Sequence, residues 1–164
     1  MILSGVWIRR LPRTLCLVLQ FIVMALPVVA ADSEANRNSL RGFNTFIVQA
    51  FVDEECNVEE RLITAEMELA LRQNSIGIGL SKPYALLGTA ISCTRRDDGL
   101  VLYHVSTGVV QSATVINGTE LSLETWGVEE FGAVGRTNLR RLREIVKDQL
   151  VRFLNAYLSV NPKK

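Results

Sequence analysis

The sequence predicts an α+β domain: one mixed β-sheet with two helices on one face, in the order β-α-β-β-β-α. Three observations carry this. Phe46, Val48, Ala50 and Val52 alternate with Thr45, Ile47, Gln49 and Phe51, as in a strand buried on one face and partly covered on the other. Leu139, Leu142, Val146, Leu150, Phe153 and Tyr157 recur at steps of three or four, the period of a helix burying one face. Between them, Asp98-Gly99 and Asn117-Gly118 punctuate β-forming segments with residues that tolerate positive φ, as tight hairpins require.

Taken in order, the first strand runs from Phe43 to the acidic Asp53-Glu54-Glu55. Val58 to Gln73 then turns helical: Val58, Leu62, Ala65 and Leu69 form a stripe widened by Ile63, Met67 and Ala70. Asn57 is placed to cap this helix, and Glu59 and Glu60 suit the positive end of its dipole. Gly77, Gly79 and Pro83 break the pattern before a second strand, Tyr84 to Cys93. The third β segment, Val101 to Ile116, is long enough to need a bend or bulge, expected at Gly108. Leu121 to Trp126 makes a fourth strand, and Gly127 to Gly135 reads as a glycine-punctuated loop. The last helix has Thr137 or Asn138 as cap and stops at Asn161-Pro162. A strand-helix-strand return to one sheet gives a parallel pair, and the hairpins are antiparallel.

The chain has 164 residues, of which 48% are hydrophobic, so one domain is expected. Its start has the layout of an export signal: Arg9, Arg10 and Arg13, an apolar run from Leu15 to Leu26, then Pro27-Val28-Val29-Ala30-Ala31 before Asp32. Residues 1–31 are therefore expected to be a cleaved signal peptide, 32–41 a flexible N-terminus, and 42–162 the α+β domain. The run is too short for a membrane span. Charge is unevenly distributed: residues 32–135 hold 7 basic and 15 acidic side chains, residues 136–164 hold 8 basic and 2 acidic. Export to a periplasmic or extracellular compartment allows Cys56 and Cys93 to form a disulfide, with two free thiols as the alternative.

The residue inventory limits the chemistry. His104 is the single histidine, placed mid-strand, and no Gly-x-Ser-x-Gly elbow accompanies it, so no catalytic residue is assigned. One histidine and two distant cysteines give no zinc set, and the acidic Asp53, Glu54, Glu55, Glu59 and Glu60 lack a calcium-loop spacing; no metal or other cofactor is implied. The segment Gly127 to Thr137 ends in Gly135-Arg136-Thr137 like a phosphate loop. It lacks the first glycine and the lysine of that motif. Arg136, Arg140, Arg141, Arg143, Lys147 and Arg152 line the last helix as a basic face, a candidate surface for an acidic envelope protein or anionic lipid. Nucleic acid is not expected outside the cytoplasm, and no aromatic residues interleave with these arginines.

The C-terminal half resembles a set of small exported bacterial proteins of unknown function. The resemblance rests on Thr125-Trp126-Gly127, the glycines Gly132 and Gly135, Leu139-Arg140, the closing Phe153-Leu154-Asn155-Ala156-Tyr157-Leu158, and Asn161-Pro162-Lys163, reaching back to Leu40-Arg41-Gly42. It implies export and no defined activity. The strand order also resembles that of small envelope domains in outer-membrane assembly lipoproteins, which is an analogy of fold. The expected function is a non-enzymatic periplasmic or secreted accessory domain that binds an envelope component through its sheet edge or basic helix. A small-ligand carrier, with an apolar pocket between the helices and the third strand, is the alternative, and an enzyme of unrecognised type stands third.

Overall fold

The computed structural model describes residues 33–80, 84–114 and 116–162. The expected signal peptide, residues 1–31, lies outside the described residues, as do Asp32, Pro83, Val115 and Lys163. The described residues belong to one compact unit, Ala31–Lys164. Its elements in chain order are α1 (Glu34–Ser39), β1 (Thr45–Val52), a 3-10 turn (Glu54–Cys56), α2 (Glu60–Gln73), β2 (Gly77–Ile78), β3 (Ala85–Arg95), β4 (Leu100–Thr114), β5 (Glu120–Gly135), a second 3-10 turn (Arg136–Asn138) and α3 (Arg140–Val160). They build one mixed sheet of order β2-β1-β3-β4-β5. β1 runs parallel to β3, with α2 in the crossover, and β3, β4 and β5 form an antiparallel meander. The α+β class and the mixed sheet are as the sequence predicts.

Several elements differ from expectation, each for a physical reason. Residues 34–39 are not an unstructured tail but a short helix: Ser33 caps it by accepting from the Asn36 amide at 3.2 Å, and Leu40 behind it is fully buried. Asn57 does not cap α2. It sits at φ 49°, closing the preceding 3-10 turn, and α2 starts after Glu59. The buried stripe of α2 is Ile63, Met67 and Leu71, with Leu62 and Leu69 outside. Two apolar stripes compete on this helix, and the rotation chosen turns Glu66 toward Arg143 and Lys147 of α3. α3 itself has no side-chain cap from Thr137 or Asn138, which form the 3-10 turn.

The expected glycine loop, 127–135, is the second half of a 16-residue strand. The glycines there make room for side chains. A Cβ on Gly132 would lie 2.6 Å from Cζ and 2.9 Å from Cε1 of Tyr103, whose ring covers that backbone from β4. A Cβ on Gly108 would meet Glu124 Oε1 at 2.9 Å. The bulge expected at Gly108 lies one residue on, where the register shifts between Val109 and Val110 and Thr125 is the extra residue of β5.

The core lies between one sheet face and the helices. Phe153 of α3 sits at its centre, edge-on to Phe46 at 5.5 Å and Trp126 at 5.4 Å between centroids, and Tyr157 stands edge-on to Phe46 at 5.8 Å. A polar ladder crosses this interior. Gln149 Nε2 donates to the Val105 carbonyl at 3.0 Å, Thr107 Oγ1 donates to Gln149 Oε1 at 2.8 Å, and Thr89 lies 2.9 Å from Thr107. Because the Thr107 hydrogen is spent on Gln149, Thr89 is the donor of that pair. Satisfied in this way, three buried polar side chains fix α3 against β3 and β4.

Candidate functional site

Strand pairing determines which side chains share the face of the sheet that the helices leave bare. Side chains alternate along each strand, so the register groups them into rows running across the sheet. One row is Ile47, Leu86, Val110 and Glu124; the next is Gln49, Gly88, Gly108 and Gly127; the third is Phe51, Ala90, Ser106 and Glu129; the fourth is Ser92, His104 and Phe131. Three glycines thus stand in register on adjacent strands and floor a shallow trough between two walls of larger residues. Beyond it Phe131 is 69% exposed, Phe51 52% and Leu102 40%, whereas the opposite face buries Ala50, Leu87, Ile91, Val105 and Val109 almost completely.

The charged residues of this open face are glutamates: Glu124 and Glu129 flank the glycine row, and Glu120, paired with Thr114, lies toward the β4–β5 turn. Glu124 folds along the trough over Gly127 and Gly108. Its carboxyl is held above the usual carboxylate range, first by burial and then by the charge of Glu129. Glu129 Oε2 lies 3.7 Å from His104 Nε2, and the His104 ring stacks flat on Phe131 at 4.2 Å. The lone histidine is thereby a stacked sheet-face residue beside a carboxylate. Among the described residues no His/Cys/Asp/Glu group of three or more is arranged to hold a metal ion.

The residues singled out from the sequence fall elsewhere. Cys56 and Cys93 are joined in a disulfide with Cα atoms 5.2 Å apart, linking the 3-10 turn to β3. Of the basic face, Arg143 and Lys147 converge on Glu66 of α2, Arg141 reaches Glu144 at 3.3 Å, and Arg136 donates to the Arg96 carbonyl at 2.9 Å. Arg140 and Arg152 remain exposed on α3. The helix charge is therefore largely committed within the molecule. Gly135, Arg136 and Thr137 end a strand rather than cradling an anion, so the phosphate-loop comparison fails on geometry as well as on sequence. Between the helices and β4, Gln149, Thr107 and Phe153 are buried, and Thr107 donates to Gln149.

Sequence reasoning missed Glu124, Glu129, Phe131 and the glycine row. Phe131 and Glu129 were hidden by reading 127–135 as a loop. The available signal was the pair of hairpin turns, which sets cross-strand register once strand length is known.

Among the residues that carry the resemblance to exported proteins, Asn161 and Tyr157 make structural contacts. Asn161 donates through Nδ2 to the carbonyls of Leu40 at 2.9 Å and Tyr157 at 3.1 Å, and its Oδ1 accepts from the Gly42 amide at 2.7 Å. Tyr157 donates its hydroxyl to the Phe43 carbonyl at 2.7 Å. The two ends of the domain are tied by these contacts.

No protein-family model and no curated protein sequence matches the chain. Solved structures similar to it include a minor lipoprotein of Acinetobacter baumannii, 8% identical over 72% of this chain and 91% of that one at a TM-score of 0.40. PelC of Paraburkholderia phytofirmans, a dodecamer, is 16% identical over 71% and 89%, also at 0.40. The rare lipoprotein B of Shewanella oneidensis is 14% identical over 72% and 96%, at 0.36. At TM-scores this low none of them assigns the chain a family or an activity.

Proposed function

We propose that the chain is an exported, non-enzymatic accessory domain of the bacterial cell envelope that docks another envelope component through the open face of its sheet and the adjoining free edge of β5. One observation carries the reading. Among the described residues the helices cover one face of the sheet, while its other face presents Phe51, Leu102 and Phe131 to solvent in neighbouring rows, exposed apolar side chains of the kind found at interaction sites. β5 adds 16 residues of strand paired with β4 on one side only. The buried disulfide supports an oxidising compartment. Of the two docking surfaces expected from the sequence, the sheet is favoured over the basic helix because most of the helix charge is already paired.

Two measurements test this. Intact mass of protein recovered from the periplasm and medium of cells making the full chain should begin at Ala31 or Asp32 and gain two hydrogens on reduction; a full-length mass would overturn export. A photo-crosslinking residue placed at Phe131 or Leu102 in the living host should yield a discrete adduct that the same residue at Val151 on α3 does not. Adducts from Val151 alone would overturn the docking face.

A further inference from the structure

The charge of the open face defines what can cover it. Of the strand residues described, the one arginine is Arg95, which shares the helix-covered side with Cys93 and Val101 and binds the Glu55 carbonyl. The open face therefore carries Glu120 toward the β4–β5 turn and, beside the glycine row, the pair Glu124 and Glu129, with no Lys or Arg among its described strand residues. Neither carboxylate has a lysine or arginine within ion-pair distance among the described residues; Glu129 faces His104 alone. Glu124, partly withdrawn from water and near the charge of Glu129, is stabilised when a cation is supplied from outside.

The floor between them has a matching shape. Three glycines in register forfeit side-chain cover at the middle of a sheet, an arrangement that marks close approach by another backbone or a ligand. Glu124 accounts for the clearance over Gly108 and Gly127. It does not account for Gly88, whose Cβ would meet nothing nearer than the Gln49 carbonyl at 3.9 Å. From β3 to β5 the glycine floor spans two inter-strand steps, about 10 Å, and Gln49 of β1 stands at its end. Ile47, Leu86 and Val110 wall it on one side, Phe51 and Ala90 on the other.

We propose that this face binds a basic segment of a second protein, its apolar residues on Phe51, Leu102 and Phe131, and its Lys or Arg stems laid along the Gly88–Gly108–Gly127 row with their heads at Glu124 and Glu129. The inference rests on reading the open face as a docking surface and specifies the chemistry of the partner. An anionic lipid surface has the wrong sign for this face. A second copy adding edge to edge would bring together two β5 strands that each carry Glu120, Glu124, Glu129 and Glu130 and no basic residue to offset them.

The test uses protein purified after export of the full chain and a soluble peptide of alternating lysine and valine, with a glutamate and valine peptide of equal length as its counterpart. The lysine peptide should bind and shift the amide resonances of Gly88, Gly108 and Gly127, and binding should weaken with salt. Glu124→Gln/Glu129→Gln, which keeps shape and removes charge, should raise Kd about tenfold or more. Gly88→Val, which keeps both charges and fills the trough, should do the same. Absence of binding, equal binding of the glutamate peptide, an unchanged Kd in both variants, or a shift or broadening of those same glycine amide resonances by phosphatidylglycerol vesicles without peptide would overturn the inference. A Phe131 crosslink in cells that persists in Glu124→Gln/Glu129→Gln would overturn the basic partner while leaving the docking face; loss of every open-face crosslink in the wild type would overturn the docking face itself.

Discussion

Removing the Cys56–Cys93 cross-link, as Cys56→Ala/Cys93→Ala, should cost this domain a large share of its stability. The bridge joins residues 37 positions apart, so in the native state it closes a loop that a free chain would otherwise explore. The chain-entropy relation gives about 4 kcal/mol for a loop of that size. Neither cysteine is more than 8% exposed, so replacing both sulfurs with alanine also removes packed volume and pushes the effect in the same direction. For a unit of this length the loss corresponds to a fall in Tm of about 14 °C. Urea unfolding of the oxidised wild type and the double variant measures it. A second readout comes from the slope: an uncrosslinked denatured chain is less compact, so the variant's m-value should rise. A loss below about 1 kcal/mol with an unchanged m-value would refute loop closure as the source of stabilisation.

Three further outcomes are expected. Gly132→Ala should destabilise by about 1–3 kcal/mol because the added methyl meets the Tyr103 ring, and the same substitution in a Tyr103→Ala background should cost far less, as a double-mutant cycle in urea would show. Asn161→Ala removes partners of Gly42, Leu40 and Tyr157 and should cost about 1–3 kcal/mol, with faster proteolysis or amide exchange across residues 34–42 as the local sign. Tyr103 titrates above the usual tyrosine value of 10.0 because of burial, then its hydrogen bond to Glu130 and that residue's charge, with Arg141 opposing; burial raises Tyr157 likewise. Both tyrosines therefore hold their protons more tightly folded than unfolded, so the stability they contribute is fully present below pH 10 and should fall as pH rises beyond it, less steeply in Tyr103→Phe.

The fold class was legible in local pattern because alternation and helical period report which face of an element is apolar. The parallel pairing of β1 with β3 followed from the crossover rule, and the disulfide followed as an allowed pairing from its placement beside those strands. The candidate site was not legible, and glycine shows why. In 127–135 glycine reads as a turn former, since one sequence alone cannot distinguish a residue chosen for positive φ from one chosen to clear space for Tyr103 or Glu124. The α2 stripe failed for a related reason. Two apolar rows on one helix are equivalent until α3 is packed beside it, and the Arg143–Glu66 contact belongs to the chosen rotation.

The sequence by itself determined the β1-α2-β3-β4-β5-α3 succession, without α1 and the two-residue β2, the end of the final helix at Asn161-Pro162, and the uneven distribution of charge along the chain. These depend on neighbours within a few residues, where period, turn chemistry and composition act. Tertiary structure alone decided which carboxylates stand together, that Arg143 and Lys147 are spent on Glu66, and that Gly88, Gly108 and Gly127 align in one row. The glycine row joins adjacent strands through register, and the Arg143–Glu66 contact joins residues of two helices 77 positions apart, so both are set by the packing of the whole domain.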